Sequence, residues 1–343
     1  MLLAEVVNVD VASKTLRLDR EPSEISYDYL ILAPGSRHSY FGHDSWETMA
    51  PGLKSVEDAT EIRRRFLLAF ERAEASGNDA ERNAYLTFVI VGGGPTGVEL
   101  SGALPLIARR ALAPDFRKID TRRTRVILLE GGDRILSGFS EGLSRTAVRD
   151  LADIGVEVRT GAIVTAVDAD GVSISDERIE AKTVFWAAGN APSPLGRLLG
   201  APLDRIGRVL VQPDLSIPGH AEIFVIGDLA SVVQDGRQVP GVAPAAMQEG
   251  TAAAKNILRD IGRQNRRAFR YRNKGDLATI GRSHAIAAFP RFELTGRLAW
   301  WFWVFLHILY LIGFRNRASV MVQWAYSYFT YQRGVRLITG KTM

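Results

Sequence analysis

The sequence contains no cysteine in 343 residues, so it has no disulfide framework, no thiolate metal site and no redox-active thiol pair. Enzymes that work through catalytic cysteines are excluded by that count. The N-terminus, MLLAEVVNVD, lacks a basic stretch followed by a continuous apolar run, so it does not read as a signal peptide and cytoplasmic placement is the default expectation. Long polar low-complexity tracts are missing too, which argues against extended disorder. With 46% hydrophobic and 24% charged residues, a chain of this length fills two moderate cores more readily than one.

Acidic residues are scarce at one end. Residues 259–343 carry 15 Lys or Arg against 3 Asp or Glu, a net charge of +12, although the whole chain is only +5. The first 258 residues are therefore about −7, an asymmetry that predicts a separate surface for an acidic partner, either nucleic acid or anionic lipid.

Hydrophobic patterning orders the rest. Residues 2–9 and 13–18 alternate apolar and polar as an antiparallel pair, and residues 29–33 (YLILA) read as a buried strand closed by Pro34 and Gly35. Residues 56–75 have helical period, and the polar stretch 76–83 reads as a linker between units. Residues 88–91 form a short apolar strand leading into GGGPTGVEL and a helix toward Arg110. A second strand, 126–129, ends in Glu130, and residues 156–158 and 162–167 are expected to continue the sheet. Strands are also predicted at 183–186 (TVFW) and 223–226 (IFVI), and a helix over 245–259. Strands alternating with helices indicate a parallel α/β sheet.

Gly92, Gly94 and Gly97 satisfy GxGxxG between a strand and a helix, where backbone approaches a pyrophosphate and the helix N-terminus favours its charge. A bare match is weak; the strand-to-helix setting makes it specific for a dinucleotide. Glu130 ends the next strand, as a ribose-binding acid should, but 33 residues after Gly97 where about 20 is usual; a longer intervening helix accounts for the delay. Its carboxylate accepts from a 2′-hydroxyl and repels a 2′-phosphate, so NADH is expected over NADPH.

Taken in order, FVIVGGGPTGVELSGAL, VILLEGGDRIL, FWAAG, IFVIGDLA, VAPAAMQEG, YRNKGDLATIGR and LIGFRNR resemble the type II NADH:quinone oxidoreductases over essentially the whole chain. The last two blocks are the most particular to that family. The resemblance implies an α/β flavoprotein with tandem Rossmann-like dinucleotide-binding domains and a C-terminal amphipathic, membrane-binding helical region. The expected division is 1–80 for a partial FAD-binding domain, 81–190 for the NADH-binding domain, 191–288 for the return to the FAD domain and quinone segment, and 289–343 for membrane-surface helices.

Its site residues carry over by position. Asp228, after Gly227 in IFVIGD, is implied to hold a ribityl hydroxyl of FAD, while an N-cap or turn aspartate is the plainer reading. Val6 and Ala33, Pro34 and Gly35 match backbone lining FAD, and Gly189 closes the AAG segment beside the nucleotide. Glu99, placed in the first turn of the helix, is implied to face flavin and nicotinamide and to help proton transfer to quinone; a purely dipolar role is equally open. Gln248 matches a glutamine whose amide can donate to a quinone carbonyl. Lys274 matches a lysine at the quinone entrance, against the plain reading of a solvated loop cation. No metal is expected.

Residues 298–314 (LAWWFWVFLHILYLIGF) carry no formal charge over 17 positions, at the lower edge of what spans a bilayer, and are flanked by Arg297, Arg315 and Arg317. Val320, Met321, Trp324, Ala325, Tyr328 and Phe329 share one helical face, with Gln323, Ser327 and Thr330 opposite. Aromatics beside arginines suit an interfacial helix on anionic lipid through residues 298–343, at the cytoplasmic face of the membrane. A spanning helix and a homodimer contact are the alternatives; nucleic acid is not expected.

Family members open with a strand and their own GxGxxG loop for FAD, so at least one βαβ unit, about 30 or more residues, is expected to precede the segment matching LLAEVVNVD. The function implied is hydride transfer from NADH to FAD, then two-electron reduction of a membrane quinone, without proton pumping. The competing readings are a flavin-free NADH-binding or membrane-docking module and a ferredoxin-type FAD-dependent NADH reductase.

Overall fold

The computed structural model describes residues 1–311, 313–330 and 338, and the side chains of Ser327, Phe329 and Thr330 are not part of that description. Two compact units are present. One combines Met1–Arg37 with Asn190–Lys274; the other combines His38–Gly189 with the described residues from Gly275 onward.

The larger unit is built on a four-stranded parallel sheet in the order Thr183–Trp186, Thr87–Val91, Arg125–Leu129, Val156–Arg159. The TFVIV strand is buried along its whole length, as a strand covered on both faces must be. Alternation sends Phe88, Ile90, Val126 and Leu128 into one core and Val89, Val91, Ile127 and Leu129 into another on the opposite face. The Val56–Ala75 helix enters through a capping box, Ser55 Oγ accepting from Asp58 N while the Asp58 carboxylate accepts from Ser55 N, and its Phe66 and Phe70 rings pack on Phe88.

Four expectations are corrected here. Residues 76–83 are no linker: Asn78 caps a short Asp79–Tyr85 helix inside the larger unit, and the chain passes between units at 37/38. Val164–Asp168 leaves the parallel sheet and forms an antiparallel one with Gly171–Ile174 and Glu177–Glu180. The delay before Glu130 is not a longer helix. The helix ends at Leu106, turns through a π-helical Ile107–Leu112, and continues as irregular chain whose Arg117, Lys118 and Ile119 amides all donate to the Glu74 carboxylate at 3.0–3.1 Å. Of the strand expected to be buried at 29–33, only Leu30–Leu32 is formed and only Leu32 is buried.

In the smaller unit Leu30–Leu32 pairs in parallel with His220–Val225, and Ser216–Ile217 adds an antiparallel edge. Val6–Asp10, Thr15–Leu18 and Glu24–Ser26 form a separate antiparallel sheet. The Ala243–Ile261 helix buries Ala245 and Ala253 in this unit's core.

The C-terminal part of the larger unit is a sheet of Asp276–Ile280, His284–Ala288 and Glu293–Thr295, followed by helices Gly296–Tyr310 and Phe314–Thr330. The uncharged run 298–314 is therefore broken: the first helix ends at Tyr310, and Gly313 has φ +80° before the second begins. At 15 residues the first helix is about 22 Å long, against about 30 Å of hydrocarbon. Among the described residues no helix is long and apolar enough to cross a membrane, so the spanning alternative loses its element.

Candidate functional site

In the larger unit, Val91 stands opposite both Leu129 and Trp186, so three parallel strands end together. Gly92, Glu130 and Ala187 follow those ends, at the carboxyl edge where open α/β sheets bind ligands. Gly92 has φ +111°, and a Cβ there would lie 2.6 Å from the Ala187 carbonyl carbon. At Gly97 a Cβ would lie 1.8 Å from the Gly92 carbonyl oxygen, so the loop closes onto the helix only without side chains at both positions. Gly94, the N-cap of the Pro95–Leu106 helix, has open space where its Cβ would be. Backbone amides at this helix N-terminus are thus approachable by an anion.

Glu130 is tied to the same loop. Its Oε2 accepts from Gly93 N at 2.6 Å and its Oε1 from Gly132 N at 2.7 Å. Each oxygen keeps a lone pair for a further donor such as a ribose hydroxyl. Gly189 lies two residues beyond Ala187 at φ +73°, where a Cβ would meet the Phe41 ring at 2.6 Å. These five positions form one constellation.

Glu99 is placed differently from expectation. The helix starts at Pro95, so Glu99 is its fifth residue and sits beyond the first turn, where the helix dipole acts most strongly. Its Oε1 accepts from Thr279 N at 3.1 Å on the Asp276–Ile280 strand. Burial pushes its carboxyl above the usual range, opposed by the Thr279 N–H and hydroxyl and by His307. A carboxyl so placed can hold a proton near the C-terminal helices.

In the smaller unit, the parallel pair Leu30–Leu32 and His220–Val225 ends with Ile226 N donating to Leu32 O at 3.0 Å. Ala33, Pro34 and Gly35 leave one strand and Gly227 and Asp228 the other, and Ser36 Oγ donates to Asp228 Oδ2 at 2.5 Å. Gly35 and Gly227 have φ +69° and +70°. Asp228, Gly241, Val242, Ala246 and Glu249 bound a narrow crevice at the start of the Ala243–Ile261 helix. These residues suit a polyhydroxyl chain lying along backbone. Val6 stands apart, on the separate antiparallel sheet opposite Leu18.

Sequence reasoning missed Glu249 and Ser36. Glu249 is 3% exposed and accepts from Gly227 N at 2.6 Å, holding the turn that presents Asp228. Burial raises its carboxyl, the Gly227 amide lowers it, and Asp228 raises it further. The signal available was an acid next to Gln248 in a helix otherwise rich in alanine.

Gln248 is already engaged. Its amide donates to Pro244 O at 3.0 Å and Arg272 O at 3.1 Å, and accepts from Arg272 N at 3.0 Å. Both N–H donors are committed, so the geometry is that of a clasp on the 272 backbone and not of a free donor to a carbonyl. Lys274, exposed, follows two residues later.

The C-terminal helices divide the expected lipid face. Trp324 stacks on Trp303 at 5.7 Å and the Tyr328 ring lies tilted against Trp300 at 5.3 Å, so both rings touch the preceding helix; Phe329 lies outside the described side chains. A second apolar stripe is exposed alongside Met321 and Trp324 of the expected face: Leu298, Trp301, Phe305 and Leu309, spaced three and four apart along the first helix.

A family profile described as pyridine nucleotide-disulphide oxidoreductase matches residues 1–250, and one described as NDH2 C-terminal domain matches 273–331. The type II NADH:quinone oxidoreductase NdhA of Mycobacterium tuberculosis is 42% identical, over 99% of this chain and 75% of its own length. Ndh of the same organism, also a type II NADH:quinone oxidoreductase, is 40% identical over 99% and 76%. Among solved structures, NDH2 from Plasmodium falciparum in complex with NADH has a TM-score of 0.87 at 20% identity, covering 99% of this chain and 85% of that one, a likeness of fold.

Proposed function

The chain belongs to the type II NADH:quinone oxidoreductase family, and from that premise we propose which of its residues carry the activity. The activity is oxidation of NADH by a quinone, with FAD as cofactor and without proton pumping. When bound, FAD supplies the acceptor for the hydride of NADH and the donor of two electrons to the quinone.

NADH is held by the larger unit. Gly92, Gly94 and Gly97 bring backbone to the pyrophosphate, Glu130 accepts from the adenosine ribose, and Gly189 lines the same edge. The smaller unit holds FAD, Asp228 taking a ribityl hydroxyl with Ser36 and Glu249 fixing its position, beside Ala33, Pro34 and Gly35; Val6 contributes only through backbone. Glu99 holds the proton required when quinone is reduced. Gln248 acts through the backbone it clasps, setting the segment that carries Lys274 at the quinone approach. The exposed Leu298, Trp301, Phe305 and Leu309 stripe lies on the membrane surface at its cytoplasmic face.

The observation that carries this reading is the Glu130 carboxylate bonded into the glycine loop at the carboxyl edge of the sheet. Glu130→Gln keeps an acceptor for the loop but loses the charge that repels a 2′-phosphate. Charge-assisted bonds contribute about 1.5–3 kcal/mol, so the NADH over NADPH preference in kcat/KM should fall roughly tenfold or more. Equal use of both nucleotides by the unmodified protein would refute the assignment.

A further inference from the structure

A second cleft lies in the larger unit, away from the glycine loop. Its volume is about 630 Å³, within the size range of small-ligand sites. Ala103, Leu106, Ile107, Ala111, Ile154 and Ile280 make its apolar wall. Arg110, Arg282, Arg297 and His284 line it as well, and among the described residues no acid does.

The fold places these cations individually. Arg109 and Arg110 are consecutive on the π-helical Ile107–Leu112 turn, a distortion often found at functional sites. Arg109 donates to Ile154 O at 2.7 Å, while Arg110 lines the cleft. Arg282 lies over the Tyr328 ring at 4.6 Å, so its guanidinium is oriented by an aromatic face. Arg297 occupies the first turn of the Gly296–Tyr310 helix, where the dipole disfavours a cation and where no acidic residue offsets it. Arg297 also directly precedes Leu298, the first residue of the exposed apolar stripe.

We infer that this cleft binds the phosphate of an anionic phospholipid, with Arg110, Arg282 and Arg297 on the phosphate and the Leu106, Ile107 and Ile280 wall against the glycerol and upper acyl chain. Guanidinium groups match phosphate oxygens in paired geometry. A neutral quinone offers two carbonyl acceptors but no charge to match three guanidinium groups, and a free phosphate gains nothing from the apolar wall. The inference rests on the reading that the stripe meets the membrane surface, and it adds a choice of headgroup to that contact.

The test uses the full chain and two soluble probes, dihexanoyl phosphatidylglycerol below its micelle concentration and inorganic phosphate, with binding followed by calorimetry. Arg110→Gln combined with Arg297→Gln leaves the Arg282–Tyr328 stack in place. Loss of two charge-assisted contacts should weaken the lipid probe roughly tenfold or more, with inorganic phosphate binding much more weakly throughout. Unchanged lipid affinity in the double variant overturns the inference, as does inorganic phosphate binding as tightly as the lipid. Flotation with vesicles tests the underlying reading separately. Trp301→Ser with Phe305→Ser should abolish flotation yet leave the soluble lipid bound; if the unmodified chain floats with no vesicle, the stripe assignment fails while the calorimetry still decides the cleft.

Discussion

Glu99 and Glu249 are acids whose settings favour the proton-bearing form. For Glu99 the cause is burial, only partly opposed by Thr279 and His307, and for Glu249 it is burial with Asp228 nearby. Each folded-state value lies above the ordinary 4.5. Between 4.5 and the raised value the folded chain keeps a proton that the unfolded chain has lost, so stability falls as pH rises through that window. Glu99→Gln cannot lose a proton. Its melting temperature, measured against pH alongside the parent, should fall less steeply from pH 4.5 upward; parallel curves would mean that Glu99 is not proton-bearing in the fold. The same residue shows where sequence reading stopped. Position in a motif revealed that an acid stood there, but the helix start at Pro95 and the Thr279 partner, 180 residues away, are set by tertiary packing. The partners of Gln248 were hidden for a similar reason, because the 272 backbone it bonds is 24 residues distant.

Among the elements, the Pro95–Leu106 helix connects chemistry to architecture. Its start lies at the carboxyl edge of the parallel sheet, and its Gly102 lies so near the C-terminal sheet that a Cβ would come within 2.6 Å of Gly281 N. Two alanine substitutions should therefore behave differently. Gly102→Ala meets backbone and should destabilise by about 1–3 kcal/mol, the usual cost of overpacking, seen as a lower denaturant midpoint. Gly94→Ala meets nothing, with φ −71°, so it should fold with little change while NADH binds less well because the methyl fills the path to the helix amides. If both variants lose stability equally, the open approach at Gly94 is not real. Strands and helices with strong periodicity were legible in the sequence, and the Val56–Ala75 helix appears with the bounds its pattern predicts. What could not be read was the path after Leu106, because a loop folded around Glu74 leaves no local pattern. The exposed stripe was also hidden, since a helix apolar on every side does not reveal which side the sheet will cover.

At the scale of the whole molecule, two candidate dinucleotide sites and a basic aromatic surface occur in one chain, and the family sets their joint purpose. The glycine loop with Glu130, the Asp228 turn and the stripe beginning at Leu298 each follow from local packing, whereas their combination is what a membrane-surface NADH oxidase with a quinone acceptor requires. A ferredoxin-type reductase has no use for that stripe, and a docking module has no use for Glu130. Since the chain belongs to the type II NADH:quinone oxidoreductases, which do not pump protons, electron transfer should proceed without moving protons across a bilayer. The most direct measurement is therefore made on the FAD-loaded full chain with quinone-containing phospholipid vesicles, following nucleotide oxidation, quinol formation and internal vesicle pH together. The account predicts one quinol for each NADH consumed, a much slower reaction with NADPH, and no change of internal pH. Oxidation of NADH that ignores the quinone, equal rates with NADPH, or a pH gradient built during turnover would contradict it.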